Sequence, residues 1–318
     1  MSGSFFIIIV DKIKKKKKGD AMNNTLTIMV GLPASGKDFF IKNNIDNALI
    51  LSSDDLRVKL YGYEDQTHNK EVFEEMNRRT RNAGKENKNV IYNATNINRG
   101  RRVILAQEMQ KYFKYIKIIV CVCSVKTLLY RNKTRKERHL PEDKLKQMIR
   151  SFQIPTLYEY HYDDIKYVWT ETKRRGFERD KIALLMDYDQ HNRHHSENLG
   201  IHILRTADYC KENGKACKAA VYHDLGKPFC KTTDEEGFNH FIGHPNVSAY
   251  LYLTDTVGRD FEADVAMLIE FHDYILNFQD FESMKKKLEN KYPSLKEDFF
   301  EALKLLTEGD RLRPKGDA

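Results

Sequence analysis

The stretch TLTIMVGLPASGKDFF, residues 25–40, decides the fold of the first half of the chain. Its apolar run from Leu26 to Val30 is typical of a buried strand, and the pattern Gly31-x4-Gly36-Lys37 follows at once, with a helix predicted after it. In such a loop, successive backbone N–H groups point at phosphate oxygens, and the helix N-terminus adds the positive end of its dipole. The stretch therefore predicts a phosphate-binding P-loop, whose expected nucleotide-binding residues are Gly31, Leu32, Pro33, Ala34, Ser35, Gly36, Lys37 and Asp38.

Asp38 stands where a P-loop normally has Ser or Thr, whose hydroxyl ligates Mg²⁺. A carboxylate also binds Mg²⁺, but its negative charge near the phosphates is expected to weaken ATP binding. We therefore expect ATP and Mg²⁺ as cofactors, with an unusual residue at the metal end of the site.

The 318-residue length predicts two domains rather than one. After the P-loop, strands predicted at 48–52, 89–93, 117–123 and 165–169 alternate with helices predicted at 55–61, 70–83, 100–114, 125–138 and 141–152. This alternation predicts an α/β fold with a parallel, doubly wound sheet. The predicted organisation is a disordered basic tail at 1–24, the P-loop domain at 25–170, a linker at 171–181 and a helical domain at 182–318.

The composition narrows the class of protein. Lysines bring the net charge to +4 within residues 1–21, and a lysine run of this kind is usually a solvated arm. Five scattered cysteines without framework spacing favour the reducing cytoplasm. The apolar run FFIIIV is too short to span a bilayer, so no membrane association is expected.

Two further stretches of the first domain carry candidate chemistry. LSSDDLR places Asp54 and Arg57 after the second strand, where a carboxylate would accept a proton and an arginine would hold a phosphate. An N-capping Asp with an incidental Arg is the alternative. Residues 126–150 carry a net charge of +6, and Arg131, Arg135 and Arg138 are spaced for one helical face. That face suits a lid over polyphosphate, or is simply solvated.

The ordered motifs GxPxSGK, DDLR, NATN (93–96) and RNxxRxxRxxPE resemble the 5′-hydroxyl polynucleotide kinase family over residues 25–165. The resemblance implies that Lys37 handles the donor phosphates, Asp54 is the general base and Arg57 holds a phosphate of the acceptor. It makes Arg131 and Arg135 lid arginines. The chain departs from this family at Asp38, and at Asn93, where many relatives have a carboxylate.

The second half concentrates the histidines, since eight of eleven lie between 191 and 272. Several stand in predicted helices with apolar neighbours, as in AAVYHDLGK around His223 and Asp224. Imidazole and carboxylate together suit Mn²⁺, Fe, Co²⁺, Ni²⁺ or Zn²⁺ rather than Mg²⁺ alone. His191, His194 and His195 either line a substrate mouth or lie in an exposed loop, and Asp273 is interpreted as a helix-surface carboxylate.

The pattern H…HD…D resembles the HD phosphohydrolase superfamily over residues 182–312. The resemblance implies that the second domain is all-α and that Lys227 contacts a substrate phosphate. It assigns a first metal to His202, His223, Asp224 and Asp310, and a second metal to His244 and His272. One or two transition-metal ions such as Mn²⁺, Fe, Co²⁺ or Ni²⁺ are thus expected.

Together the two resemblances imply a bifunctional enzyme that heals RNA ends. An ATP-dependent 5′-OH kinase would be joined to a metal-dependent 2′,3′-cyclic phosphodiesterase or phosphatase, with nucleic acid and ATP as partners and an RNA ligase as a further partner. The alternative is an HD nucleotidase whose degenerate P-loop domain is a nucleotide-dependent or RNA-binding switch.

Overall fold

A computed structural model of the chain describes residues 24–62, 67–135, 138–171, 180–193 and 197–312. Residues 1–23 of the predicted tail, residues 172–179 of the predicted linker, and His194 and His195 lie outside the described residues. The described chain forms two compact units, 24–145 with 155–171 and 146–154 with 180–312. Within the described ranges, no helix is both long and apolar enough to cross a bilayer.

The first unit is built on a parallel sheet of five strands with the order β2-β3-β1-β4-β5. In chain order the elements are β1 Thr25–Val30, α1 Lys37–Asn44, β2 Leu49–Ser52, α2 Ser53–Tyr61, α3 Asn69–Lys85, β3 Val90–Asn93, α4 Arg99–Met109, β4 Tyr115–Val122, α5 Val125–Thr134, α6 Glu142–Arg150 and β5 Asp164–Trp169. α6 begins in this unit and continues past its boundary at Leu145.

Burial explains why the central strands read as continuous apolar runs. β1 is buried from Leu26 to Val30 because it lies between β3 and β4, with helices to cover both faces of the sheet. After β1 the chain moves to one side of the sheet, and after β3 it crosses to the other, so a crevice forms at the carboxyl end of β1. The predicted parallel α/β fold is therefore confirmed, and the P-loop begins at this crevice.

The helix predicted at 125–138 is wrong at its C-terminal end. α5 stops at Thr134 and Arg135 is extended, with φ −65° and ψ 134°. The Asn132 side chain explains this, because its amide donates to the carbonyl of Leu140 at 2.8 Å and its oxygen accepts from the Leu140 N–H at 3.1 Å. The chain is held folded back, so Arg131, Arg135 and Arg138 do not share one helical face.

The second unit is mainly helical. In chain order its elements after α6 are α7 Asp180–Ala183, α8 Leu199–Tyr209, α9 Gly214–Tyr222, α10 Lys227–Cys230, β6 Thr232–Thr233, β7 Asn239–His240, α11 His244–Thr256, α12 Ala263–Phe271, a 3₁₀ turn at Tyr274–Asn277, α13 Phe281–Lys291 and α14 Glu297–Arg311. α12 is buried from Val265 to Phe271, and α9 turns an alanine face inward, so the helices approach closely around α12.

The prediction that the second region is all-α is wrong at residues 232–240, which contain two short strands. β6 and β7 form a short antiparallel sheet joined by a tight turn. The Asp234 carboxylate accepts from the backbone N–H groups of Glu236 and Phe238, and Gly237 adopts a φ of 90°. Glycine and aspartate at these positions favour the turn over helix continuation. An HD-type fold for this unit remains a prediction.

Candidate functional sites

The P-loop connects β1 to α1. Gly36, the N-cap of α1, has a φ of 90°, a left-handed conformation that glycine adopts without strain. Lys37 curls back over the loop, and its Nζ donates to the carbonyl oxygens of Gly31 at 2.9 Å and Leu32 at 3.0 Å. Burial lowers the pKa of Lys37, although the nearby carboxylates of Asp38 and Asp54 act in the opposite direction and raise it. An anion at this loop would meet both the helix N-terminus and this ammonium group.

The NATN motif, residues 93–96, begins at the last residue of β3 and makes hydrogen bonds to the P-loop region. The carbonyl of Thr95 accepts from the Gly31 N–H at 3.0 Å, and the Asn96 amide donates to the carbonyl of Met29 at 2.7 Å. Asn93 donates from Nδ2 to Oδ1 of Asp38 at 2.7 Å. The residues at both departures from the kinase pattern are therefore in direct contact.

Asp54 and Arg57 lie together in the first turns of α2. Arg57 donates to Asp54 Oδ1 at 2.7 Å and to Asn69 Oδ1 at 2.6 Å. Arg57 is buried, whereas the Asp54 side chain is 43% exposed and able to accept a proton from a ligand. The capping alternative for Asp54 is wrong, because Ser52 is the N-cap and accepts from the Asp55 N–H.

Arg131, Arg135 and Arg138 each make different contacts. Arg131 donates to the carbonyl of Thr170 at 2.7 Å and approaches the P-loop carbonyl of Ala34 at 3.4 Å. Arg138 lies 3.7 Å from Asp54 Oδ2. The charge of Arg135 lowers the pKa of Lys37, although less than burial does, so Arg135 also lies towards the P-loop. The three arginines reach the same cleft from a bent segment rather than from one helix.

The second unit brings all six predicted metal ligands into two overlapping clusters. The first consists of His202, His223, Asp224 and Asp310, and within it the ligand atoms all lie within 4.8 Å of one another. α8 and α14 supply His202 and Asp310, while His223 ends α9 and Asp224 follows it. Asp310 Oδ1 lies 2.9 Å from His202 Nε2 and 3.2 Å from His223 Nε2.

Asp224 belongs to both clusters. Its Oδ2 faces His202 Nε2 at 3.2 Å and His223 Nε2 at 3.4 Å. Its Oδ1 faces His244 Nε2 at 3.0 Å and His272 Nε2 at 3.7 Å, which completes the second cluster. A single buried carboxylate with one oxygen in each cluster is the arrangement needed to bridge two cations.

The histidine tautomers test whether cations fit. The Nδ1 atoms of His223, His244 and His272 each lie within 2.9 Å of the backbone carbonyl three residues earlier, which fixes their N–H there. In the neutral form of these rings, the Nε2 lone pairs then point inward. His244 and His272 oppose each other at an Nε2–Nε2 distance of 3.1 Å, so either a proton or a cation must lie between the two nitrogens.

The charges agree with that fit. Both carboxylate oxygens of Asp224 are buried, Oδ2 lies 2.6 Å from the Lys227 ammonium, and the remaining neighbours of the two oxygens are imidazole nitrogens. Burial works against a charged His223, but Asp224 and Asp310 outweigh it and raise its pKa to about 10. A bound divalent cation would replace the proton that these carboxylates attract. Imidazole nitrogens and carboxylate oxygens in this proportion suit a transition metal.

His202 is held differently from the other three histidines. Its Nδ1 lies 3.1 Å from Arg205 and 3.5 Å from Glu197 Oε1, rather than on a backbone carbonyl. Because a guanidinium only donates, Arg205 makes Nδ1 of His202 an acceptor here, and a metal at Nε2 requires the ring proton to move to Nδ1, where Glu197 is the nearby acceptor. Neither Glu197 nor Arg205 stands out in the sequence, because both are ordinary surface residue types.

The interpretation of Asp273 is wrong, and the contacts of Lys227 and His191 are now defined. Asp273 is not a surface carboxylate, because its oxygens lie 3.3 Å from His244 Nε2 and 3.6 Å from His272 Nε2. The second HD dipeptide was the available signal. Lys227 is buried, and its Nζ lies 2.6 Å from Asp224 Oδ2 and 2.9 Å from Gln190 Oε1. His191 is exposed and stacks on the ring of Phe238.

Residues 26–155 match the protein family described as AAA domain. Together with the five-stranded parallel sheet, this match makes the first unit a P-loop α/β domain. A search of curated proteins finds no significant match to the chain.

Solved structures resemble part of the chain. A chain of the Pnkp1/Rnl/Hen1 RNA repair complex is 22% identical over 43% of this chain and 46% of its own length, with a TM-score of 0.38. A gluconokinase from Sinorhizobium meliloti 1021 is 13% identical over 48% of this chain and 86% of its own length, with a TM-score of 0.33. At these TM-scores neither similarity supports a function for the chain, which spans about half of its match in the repair complex.

Proposed function

We propose that the chain heals broken nucleic-acid ends with two active sites, a 5′-hydroxyl kinase in the first unit and a metal-dependent phosphohydrolase in the second. The observation that carries the proposal is the presence on one chain of two complementary constellations. One is a P-loop with an Asp–Arg pair on α2, and the other is a His/Asp double cluster around Asp224.

The first unit has the parts that phosphoryl transfer requires. The P-loop and Lys37 would hold the donor phosphates, and Arg131 lies on the loop to complete that cradle. Asp54 is exposed enough to take the proton of an attacking 5′-hydroxyl, while Arg57 is fixed from both sides and would hold a neighbouring phosphate of the acceptor. When bound, Mg²⁺ supplies neutralisation of charge on the transferred group.

The second unit would act on a phosphoester. His202, His223, Asp224 and Asp310 would hold one cation, and His244 and His272, with Asp224 shared, would hold another. Cations bound there supply activation of water at neutral pH and neutralisation of a phosphoester's charge. Asp273 extends the second ligand set. Lys227 would fix the position of Asp224 or, by moving from it, meet a substrate phosphate.

The combination favours RNA ends. A 2′,3′-cyclic phosphate needs a 2′-hydroxyl, which distinguishes RNA from DNA at the site of cleavage. Opening the cyclic phosphate, hydrolysing the remaining monoester to release inorganic phosphate and leave a 3′-hydroxyl, and phosphorylating the 5′-hydroxyl together produce termini that a 5′-phosphate/3′-hydroxyl type of RNA ligase joins. Such a ligase is therefore the expected partner. The basic segment at 126–150 would contact the backbone in a salt-dependent manner.

The test is an RNA that carries both broken termini, incubated with labelled ATP and Mn²⁺ and analysed at both ends. Asp54→Ala should abolish only label transfer to the 5′ end, and Asp224→Ala should abolish only processing of the cyclic phosphate. Loss of both activities in either variant would contradict two independent sites. ATP binding without label transfer, in a chain that still hydrolyses cyclic phosphate, would favour the alternative in which the P-loop domain is regulatory. The observation behind this alternative is the acidic Asp38 beside the loop.

A further inference from the structure

Asp38 and Asn93 are the two positions where the first unit departs from a standard P-loop kinase, and they contact each other. Asp38 is the second residue of α1 and is exposed, whereas Asn93 is the last residue of β3 and is 7% exposed. Met29 pairs with Asn93 in the parallel register, so the ends of β1 and β3 are level. The Asn93 Nδ2 to Asp38 Oδ1 distance is 2.7 Å.

In P-loop enzymes generally, a hydroxyl at the start of the P-loop helix and a carboxylate on a neighbouring strand hold Mg²⁺ together. Here the carboxylate stands on the helix and a neutral side chain stands on the strand. The pair as a whole keeps one negative charge and one neutral oxygen, with the two positions exchanged. The two departures are therefore complementary, which two unrelated losses would not produce.

We propose that Asp38 and Asn93 are a coupled exchange, in which Asp38 is the protein ligand for the nucleotide's divalent cation and Asn93 positions it. The proposal rests on ATP being the ligand of the first unit. The Asn93 amide occupies Oδ1 of Asp38 and leaves Oδ2 for the cation. Without the cation, the Asp38 charge repels the phosphates, so ATP binding depends on the cation more steeply than a hydroxyl would make it.

The contact predicts how each reversion behaves. Asp38→Ser leaves no carboxylate at either position, so the cation loses its charged ligand. Asn93→Asp places two carboxylates at hydrogen-bond distance, where like charges disfavour each other's ionised form and repel ATP further. The double variant Asp38→Ser/Asn93→Asp restores the usual arrangement. Each single change should therefore be worse than the two together.

The experiment measures the ATP dissociation constant by calorimetry for the full chain and these three variants, in EDTA and in Mg²⁺, with Mn²⁺ binding followed by electron paramagnetic resonance. The quantity compared is the ATP dissociation constant in EDTA divided by that in Mg²⁺. Asp38→Ser is expected to reduce this ratio at least about fivefold, and the double variant is expected to return it to within about threefold of the wild-type value. Such a coupling corresponds to roughly 1 kcal/mol between contacting residues. Asn98→Asp adds a charge to the same loop at an exposed helix cap and should change nothing.

The outcomes separate the two proposals. Additive effects of the single variants, or an unchanged ratio in Asp38→Ser, would overturn the exchange even if the chain transfers phosphate to a 5′-hydroxyl. A strong coupling in a chain that transfers no phosphate would support the exchange and overturn the kinase. A wild-type chain that binds no ATP would overturn both. Asp38 is exposed, so Asp38→Ser remains decisive even if Asn93→Asp fails to fold.

Discussion

Glu159→Gln is expected to remove about 3–5 kcal/mol from the free energy of unfolding of the first unit, the range found when one partner of a buried ion pair is deleted. The Glu159 side chain is fully buried between Arg99 and Arg102. Arg102 donates to both of its oxygens, at 2.9 Å and 2.7 Å, and Arg99 donates at 3.1 Å. Glutamine has nearly the same shape but would leave two guanidinium charges buried without a counter-charge.

The effect should reach the P-loop. Arg102 also donates to the carbonyl of Asn96 at 2.8 Å, and Asn96 donates in turn to Met29 just before the loop. A loosened Arg102 therefore releases one of the supports behind the nucleotide site. Weaker ATP binding should accompany the lower stability.

The single tryptophan of the chain provides the assay. Trp169 lies in β5 of the first unit and is buried, so its fluorescence during urea unfolding reports this unit. With a denaturant dependence of about 2 kcal/mol per molar urea, the expected loss lowers the unfolding midpoint by about 1.5–2.5 M.

Glu75→Gln is the matched control. Glu75 also accepts from two arginines, Arg78 at 2.7 Å and Arg79 at 2.6 Å, but on the partly exposed surface of α3. Surface pairs contribute about 0–1 kcal/mol, so the midpoint should fall by less than about 0.5 M. If both variants shifted the midpoint equally, burial of the charge would not be the source of the Glu159 effect.

Three other substitutions test the second unit and α2. Asp224→Asn should lower the affinity for Mn²⁺ by more than about tenfold and empty both clusters together, as measured by metal analysis after dialysis; retention of one ion would contradict a shared carboxylate. Gly226→Ala should cost about 1–3 kcal/mol in calorimetric unfolding, because the new Cβ would lie 2.6 Å from a backbone carbonyl oxygen, whereas Gly214→Ala meets no described atom within 4 Å and should be nearly neutral. Asn69→Ala removes one support of Arg57 and should raise the KM for a 5′-hydroxyl oligonucleotide about threefold to tenfold without an equal loss of kcat; an unchanged KM would count against Arg57 as the acceptor's phosphate ligand.

The sheet could be predicted from sequence because buried parallel strands are short, continuous apolar runs separated by helical periodicity. Leu26–Val30 followed by two spaced glycines and a lysine leaves little choice of fold, although α2, capped by Ser52, begins two residues before its predicted start at residue 55. The end of α5 could not be predicted, since it depends on Asn132 reaching Leu140 in the folded chain. Local periodicity carries no information about such a contact.

The residue types that gather in each unit could be predicted from the sequence, but their arrangement could not. Asp38 and Asn93 are 55 residues apart, and nothing local indicates that they pair. The shared position of Asp224, with one oxygen in each cluster, likewise depends on five helices meeting. Asp273 was misread because a carboxylate after a helical histidine usually points to solvent.

The carbonyl anchors of the histidines restrict which insertions the second unit tolerates. His223 ends α9 and His272 ends α12, and each uses the peptide oxygen one turn back to aim its ring. One residue added within either helix would rotate the ring by about 100° and carry it about 1.5 Å along the axis, away from its partners. Length variation among homologous chains should therefore be confined to the connecting segments, and a gap inside α9 or α12 would mark a chain that has lost this site.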